Sequence, residues 1–232
     1  MKDPSFSLIL PAAGAGKRMG TDIPKPYLML KGKTVLERTL SCFQGVRELK
    51  QVIVSTSDAY KEQTSELLNT LFKGVDTVVV SGGKRRQDSI YNAFQEVLAT
   101  VRYVAVHDAV RPFVKMDKIT RCLNMASESG GAILGVPVKD TIKQVTADGF
   151  IHGTPDRSLL WQAQTPQIFK KDLYEKAFKF AQQKNADVTD DASLFEAFGK
   201  EVRIVEGDRE NFKLTYPIDF KIAEMLVDTF KP

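Results

Sequence analysis

Three short segments of this chain carry residue types suited to phosphate chemistry. The first runs Pro11-Ala12-Ala13-Gly14-Ala15-Gly16-Lys17-Arg18-Met19-Gly20, with Lys25 shortly after. Its glycines let backbone N–H groups turn toward a bound anion without a side-chain clash. Lys17, Arg18 and Lys25 add charge; arginine grips two phosphate oxygens with its fork, lysine supplies a compact cation. The second segment, Ser81-Gly82-Gly83-Lys84-Arg85-Arg86-Gln87-Asp88-Ser89, repeats the pattern of paired glycines, cations and a hydroxyl near a helix start. A helix N-terminus favours a negative group. The third, His107-Asp108-Ala109-Val110-Arg111-Pro112, offers one carboxylate suited to a hard cation such as Mg²⁺, which binds through few carboxylates plus substrate phosphates. His107 reads as a satisfied structural histidine, and Asp190 and Asp191 as a helix N-terminus.

The glycine spacing excludes two common loops. A Walker loop needs Gly-x-x-x-x-Gly-Lys-Ser/Thr, and a dinucleotide fingerprint needs glycine where Met19 stands. That spacing, with the positive charge, argues against an NAD-dependent dehydrogenase. No Ser/His/Asp triad and no zinc-ligand spacing are present.

The elements that must hold these loops are legible as an alternation. Ser7–Leu10, Gln51–Ser55, Thr77–Val80, Tyr103–Val106 and Ala132–Val136 are short apolar runs followed by turn residues, the pattern of strands buried on both faces of a parallel sheet. Between them Thr34–Phe43, Ala59–Phe72, Gln87–Leu98 and Met116–Ser127 show helical spacing, and Thr34 with Glu37 makes a capping-box pattern. The alternation predicts an α/β doubly wound, mostly parallel sheet, with its ligand beyond the carboxyl ends of the strands. Residues 137–162 break it: they are polar, rich in turn residues, and read as an excursion of hairpin type. The core is expected to resume with helices at Leu173–Gln182 and Asp190–Phe198, a strand at Val202–Val205, and a last helix opened by Pro217. The 232 residues then form one domain with a protruding arm.

Composition narrows the function. Hydrophobic residues at 43% and charged residues at 27% suit a soluble globular protein with a core of its own. A net charge of +4 is too small and too dispersed to argue for nucleic acid, and no apolar run reaches membrane-spanning length. Cys42 and Cys122 lack metal spacing and read as buried thiols; with no signal-type N-terminus, a cytoplasmic protein is expected.

Over nearly its whole length the chain resembles the 2-C-methyl-D-erythritol 4-phosphate cytidylyltransferases of the non-mevalonate isoprenoid pathway. The matching segments are LPAAGAGKRMG, PKPYL, GGKRRQDSI, VHDAVRP, PVKDTIK, DRSLLWQAQTPQIF, VTDDAS and ENFKLT, in that order. The resemblance implies a Rossmann-like nucleotidyltransferase sheet with an extended β-arm. It implies CTP and a sugar-alcohol phosphate as substrates, Mg²⁺ or another divalent cation as cofactor, and pyrophosphate as leaving product. Arg18, Lys25 and Lys213 fall on the family's catalytic cations. Pro11, Ala12, Ala13, Gly14, Ala15, Gly16, Gly82, Gly83, Arg86, Ser89, Asp108 and Ala109 fall on nucleotide-binding positions, with Asp108 also the metal position. Arg111, Thr141, Arg157 and Thr165 fall on acceptor-binding positions, Arg157 being supplied by the partner chain of a homodimer with shared active sites.

Pro26 stands where the family often has Gln, and Val110 where Ala is usual. The second form also occurs in ribitol 5-phosphate cytidylyltransferases, which share the chemistry with another acceptor. A non-catalytic nucleotide-binding regulator is the alternative of a different class, and the concentration of Arg18, Lys25, Asp108 and Lys213 argues against it.

Overall fold

The computed structural model describes residues 4–14, 23–184 and 189–231. Its centre is β1 (Phe6–Pro11), flanked in parallel by β4 (Leu49–Thr56) and β6 (Tyr103–Val106). Strand β5 (Asp76–Ser81) extends the sheet beyond β4, and β7 (Gly131–Pro137) and β11 (Arg203–Glu206) pair in parallel at the other side. With β10 (Trp161–Lys170) between β7 and β6, the sheet order is β11-β7-β10-β6-β1-β4-β5. Side chains alternate across β1: Leu8 and Leu10 enter one apolar cluster, and Ile9 enters the other.

Helices cover both faces. The first cluster lies under α1 (Val35–Ser41), α2 (Lys61–Leu71) and α4 (Met116–Ser129). The second lies under α3 (Arg86–Phe94), α5 (Lys171–Lys184) and α6 (Asp191–Ala197). The hydroxyl of Thr34 accepts from the Glu37 amide at 3.1 Å and caps α1, as the sequence pattern predicts. A small hairpin, β2 (Met29–Leu30) with β3 (Lys33–Thr34), turns through Lys31 and Gly32, both at positive φ. A third cluster, built on Leu30, Val35, Phe113 and Leu214, packs this hairpin beneath α7 (Pro217–Val227).

Two expectations are corrected. The sequence pattern places the end of the polar excursion at residue 162, but at Trp161 the chain is already in a sheet strand, β10 (Trp161–Lys170), with Trp161 paired to Pro137. This strand runs antiparallel between β6 and β7. Its sequence, WQAQTPQIFK, reads as loop because Gln164, Thr165 and Gln167 are polar yet buried. Pro166 sits within the register irregularity between Ala163 and Gln167, where a residue without an N–H is tolerated. Within the excursion, β8 (Gln144–Val145) and β9 (Ile151–Gly153) form the expected hairpin. The helix read at Gln87–Leu98 ends at Phe94, because Gln51 draws the following turn to itself. Its amide donates to the Glu96 carbonyl and its oxygen accepts from the Leu98 N–H.

Candidate active site

The loops after β1, β5 and β6 meet along one edge of the sheet, joined by Lys25–Pro26 and Lys213–Leu214. Together they line a cavity of about 430 Å³. Two glycines are required by close packing. A Cβ on Gly82 would lie 2.1 Å from that of Ala13, and one on Gly83 would lie 2.3 Å from that of Asp88. The Gly82 amide donates to the Thr56 carbonyl at 2.7 Å, and the Gly83 amide to the Ser89 hydroxyl at 2.9 Å. Ser89 thereby ties the loop to the first turn of α3 while lining the cavity.

Asp108 is the electrostatic centre. It is 6% exposed, and three cations from three elements converge on it. Lys213 Nζ lies at 3.1 Å, Arg111 Nε at 3.2 Å and Arg86 Nε at 3.4 Å. Burial works to raise the pKa of this carboxyl, but Lys213, Arg86 and Arg111 together hold it well below the usual carboxylate range. Arg86 also meets Asp191 at 2.9 Å, and Asp191 accepts from the Tyr174 hydroxyl. Burial opposes the Arg86 charge, yet Asp191 and Asp108 outweigh it and hold the proton more firmly than usual. The partners are mutually dependent, since a buried charge left alone is strongly destabilising.

Lys25 sits in a one-turn 3₁₀ segment, Lys25–Tyr27, and its Nζ donates to the Thr215 carbonyl at 2.7 Å. Lys213 is set by its neighbours: the Asn211 side chain donates to the Thr165 carbonyl at 2.8 Å, and the Leu214 amide to the Val110 carbonyl at 2.9 Å.

Pro11, Ala12, Ala13, Gly14, Lys25, Gly83, Arg86, Ser89, Asp108, Ala109 and Lys213 all line the cavity. Gly82 packs behind it against Ala13. Ala15, Gly16 and Arg18 lie outside the described residues. Arg111 lines a second cavity of about 270 Å³ that shares Lys213 with the first. Thr165 is buried against Asp108 and lines neither cavity. Thr141 and Arg157 are exposed on the arm and also line neither; Arg157 donates to the Lys139 carbonyl at 3.1 Å.

His107 is fully buried, bonded to Thr165 and to the Arg111 carbonyl, and burial pushes its pKa down to about 4. Asp190 caps α6 through the Ser193 amide. Cys42 and Cys122 are buried free thiols, and burial raises both pKa values, that of Cys42 to about 12.

Sequence reasoning did not assign Lys84 and Arg85 in the first cavity, or Gln162, Gln164, Arg209 and Phe212 in the second. Lys84 and Arg85 carried a signal, as cations inside an identified glycine loop. Arg209 carried one as a cation just upstream of Lys213. The glutamines carried none until β10 was in place.

Among the described residues no cluster of three or more His, Cys, Asp or Glu side chains is poised to hold a metal. Asp108 fits the alternative of one carboxylate completed by substrate phosphates. Its Oδ2 takes Arg111 and Lys213, while Oδ1 faces Arg86 at the longer distance. No helix among the described residues is long and apolar enough to cross a membrane.

A family model described as 2-C-methyl-D-erythritol 4-phosphate cytidylyltransferase matches residues 6–229. The enzyme of that name from Symbiobacterium thermophilum is 43% identical over 96% of this chain and 92% of its own. The chloroplastic enzyme of that name from Oryza sativa is 37% identical over 98% of this chain and 76% of its own. Among solved structures, the 4-diphosphocytidyl-2C-methyl-D-erythritol synthase of Anaerococcus prevotii superposes with a TM-score of 0.88 at 27% identity, covering 97% of both chains. The Francisella tularensis cytidylyltransferase superposes with a TM-score of 0.79 at 35% identity, over 95% of this chain and 99% of its own. These relatives favour neither the ribitol phosphate acceptor nor a non-catalytic regulator. The chain belongs to the 2-C-methyl-D-erythritol 4-phosphate cytidylyltransferase family.

Proposed function

We propose that the two cavities joined at Lys213 are the nucleotide and acceptor halves of the site where this chain transfers the cytidylyl group of CTP to methylerythritol phosphate. A phosphate oxygen of the acceptor attacks the α-phosphorus of CTP, the bond to the bridging oxygen of the β-phosphate breaks, and pyrophosphate leaves. The observation that carries this reading is the convergence of Lys213, Arg111 and Arg86 on Asp108, opposite two glycine loops. The base side is formed by Ala12–Gly14, Gly82, Gly83 and Ser89, where small groups let a flat ring approach the backbone. Lys25, which lines the cavity, stabilises charge on the α-phosphate and leaving group as it develops, the role that the resemblance also gives to Arg18. Asp108 would hold Mg²⁺ together with the substrate phosphates, and the ion would supply positive charge against the triphosphate.

Arg111, Lys213 and Arg209 surround the second cavity with positive charge, which suits the acceptor phosphate. Arg157 and Thr141 reach such a pocket from the arm of a second copy. Phe150 is 71% exposed and Leu159 79%, a pair of large apolar side chains that a homodimer would cover. A monomer by light scattering with full activity would overturn the dimer. The buried free thiols accord with a cytoplasmic location. Pyrophosphate release with CTP, Mg²⁺ and either methylerythritol phosphate or ribitol 5-phosphate tests the reaction. Release is expected with the first acceptor, and preference for the second would overturn the assignment.

A further inference from the structure

Asp108 owes its position to a hydrogen-bond chain that runs away from the cavity. Its backbone amide donates to Thr165 Oγ1 at 3.0 Å. Thr165 Oγ1 lies 3.0 Å from His107 Nδ1, and His107 Nε2 lies 3.1 Å from the Arg111 carbonyl. A carbonyl can only accept, so Nε2 carries the hydrogen, and in the neutral ring Nδ1 is the acceptor. The Thr165 hydroxyl must then donate to Nδ1 while it accepts from the Asp108 amide. Every donor in the chain has one acceptor, and both ends belong to the Asp108–Arg111 turn. Thr165 and His107 are 4% and 0% exposed, so water cannot readily replace either bond. The Thr165 carbonyl extends the same unit by accepting from Asn211, two residues before Lys213.

We propose that the buried Thr165–His107 relay is a positioning device for the reaction: it locks the Asp108–Arg111 turn so that Asp108 gathers Lys213, Arg111 and Arg86 at one point. Thr165 acts through Asp108, because its hydroxyl accepts from the Asp108 amide while it donates to His107. The relay lies just past the end of β6 and on β10, whereas the proposed base-reading groups follow β1 and β5. Its loss therefore lowers turnover more than it weakens CTP binding. The proposal rests on the cavity described above being the active site.

The test is steady-state kinetics on Thr165→Val, Thr165→Ser, His107→Gln and the Thr165→Val/His107→Gln double variant. Thr165→Val keeps the shape and removes both bonds; a misplaced reacting group commonly costs about 100-fold, so kcat should fall on that order while KM for each substrate moves less than about threefold. Thr165→Ser should restore kcat, which also shows that any loss is not a failure to fold. His107→Gln keeps the donor toward the Arg111 carbonyl and loses the Thr165 acceptor. Its effect should vanish in the double variant, which should be no slower than Thr165→Val alone. A raised KM for methylerythritol phosphate with kcat retained, or additive losses in the double variant, would overturn the relay. Asp108→Ala, measured alongside, tests the cavity: full activity there overturns the site reading, whereas full activity in Thr165→Val alone overturns only the relay.

Discussion

The nucleotide half of the site and the arm at residues 137–162 are built by opposite means. Around Asp108 the two carboxylates, Asp108 and Asp191, are buried, while Arg86 is partly exposed and Lys213 exposed; each charge is answered within the same chain across the turn after β6, α3, α6 and the segment after β11. On the arm, Val145, Phe150, Ile151 and Leu159 are all at least 60% exposed, and Arg157 faces solvent. On the proposed reading, one chain supplies the nucleotide half by itself. The proposed acceptor half has Arg111, Lys213 and Arg209 on its walls, and the proposal assigns its remaining groups to the arm of a second copy. In the proposed dimer a phosphate is held between two chains, so catalysis is expected to depend on assembly whereas folding of the sheet is not.

The sharpest way to break this contrast is to remove a cation from the completed half. Lys25→Ala should lower kcat by about 1000-fold, the scale of losing a group that meets developing charge in the transition state. Lys25 lines the cavity and belongs to none of the three apolar clusters, so circular dichroism should show the fold retained. Turnover close to that of the unmodified enzyme would remove Lys25 from the chemistry.

The arm is tested by trading residues between chains. Arg157→Ala should cost about 100-fold in kcat/KM for methylerythritol phosphate, the scale of removing a charge-assisted hydrogen-bond donor to phosphate from a closed site. Co-expressing that variant with Lys25→Ala should restore activity, because one of the two sites in a mixed dimer then has Lys25 from one chain and Arg157 from the other. If the mixture stays as inactive as its parts, Arg157 does not act across a subunit boundary.

Acid probes the completed half alone. With a folded pKa of about 4 against an ordinary 6.5, His107 binds its proton more readily in the unfolded chain between those two values. Stability is therefore full above about pH 6.5 and falls by up to about 3 kcal/mol as pH drops toward 4, at 1.36 kcal/mol per pH unit. The paired Asp108 carboxyl, held low by its cations, costs stability only as pH nears the ordinary carboxylate value of 3.8, where the unfolded chain takes up the proton, so most of the window belongs to His107. Urea melts of His107→Gln should lack this acid step, and an unchanged step in that variant would assign it to another group.

The same contrast separates what was legible in the sequence from what was not. Strands buried on both faces, such as β1 and β4, must be nearly continuous in apolar residues, so Leu8–Leu10 and Val52–Val54 announce themselves. The glycines at 82 and 83 are visible for a related reason: nothing larger fits beside Ala13 and Asp88. Strand β10 hides because its inward residues answer polar partners. Gln167 accepts from the amides of Asp191 and Ala192, Gln164 donates to the Asp208 carbonyl, and Thr165 meets His107. Burial of that kind is set by residues far along the chain and leaves no local periodicity. The Arg86–Asp191 ion pair, 105 residues apart, is hidden for the same reason.

Arg209 stands where the two regions meet and gives the smallest and most discriminating effect. Its side chain lines the second cavity, the proposed acceptor half, and donates to the Pro137 carbonyl at 3.1 Å, at the point where β7 gives way to the arm. If its charge serves the acceptor phosphate, Arg209→Ala raises KM for methylerythritol phosphate by about tenfold and leaves KM for CTP unchanged, the range of one charge-assisted hydrogen bond. Arg209→Lys then recovers most of the loss, since the charge remains although the fork is gone. If Arg209 instead only braces the root of the arm, lysine does not replace the bond to Pro137, and the defect follows dimer dissociation on dilution. A KM effect that persists at concentrations where the dimer is intact assigns Arg209 to the substrate and extends the completed half of the site to the base of the arm.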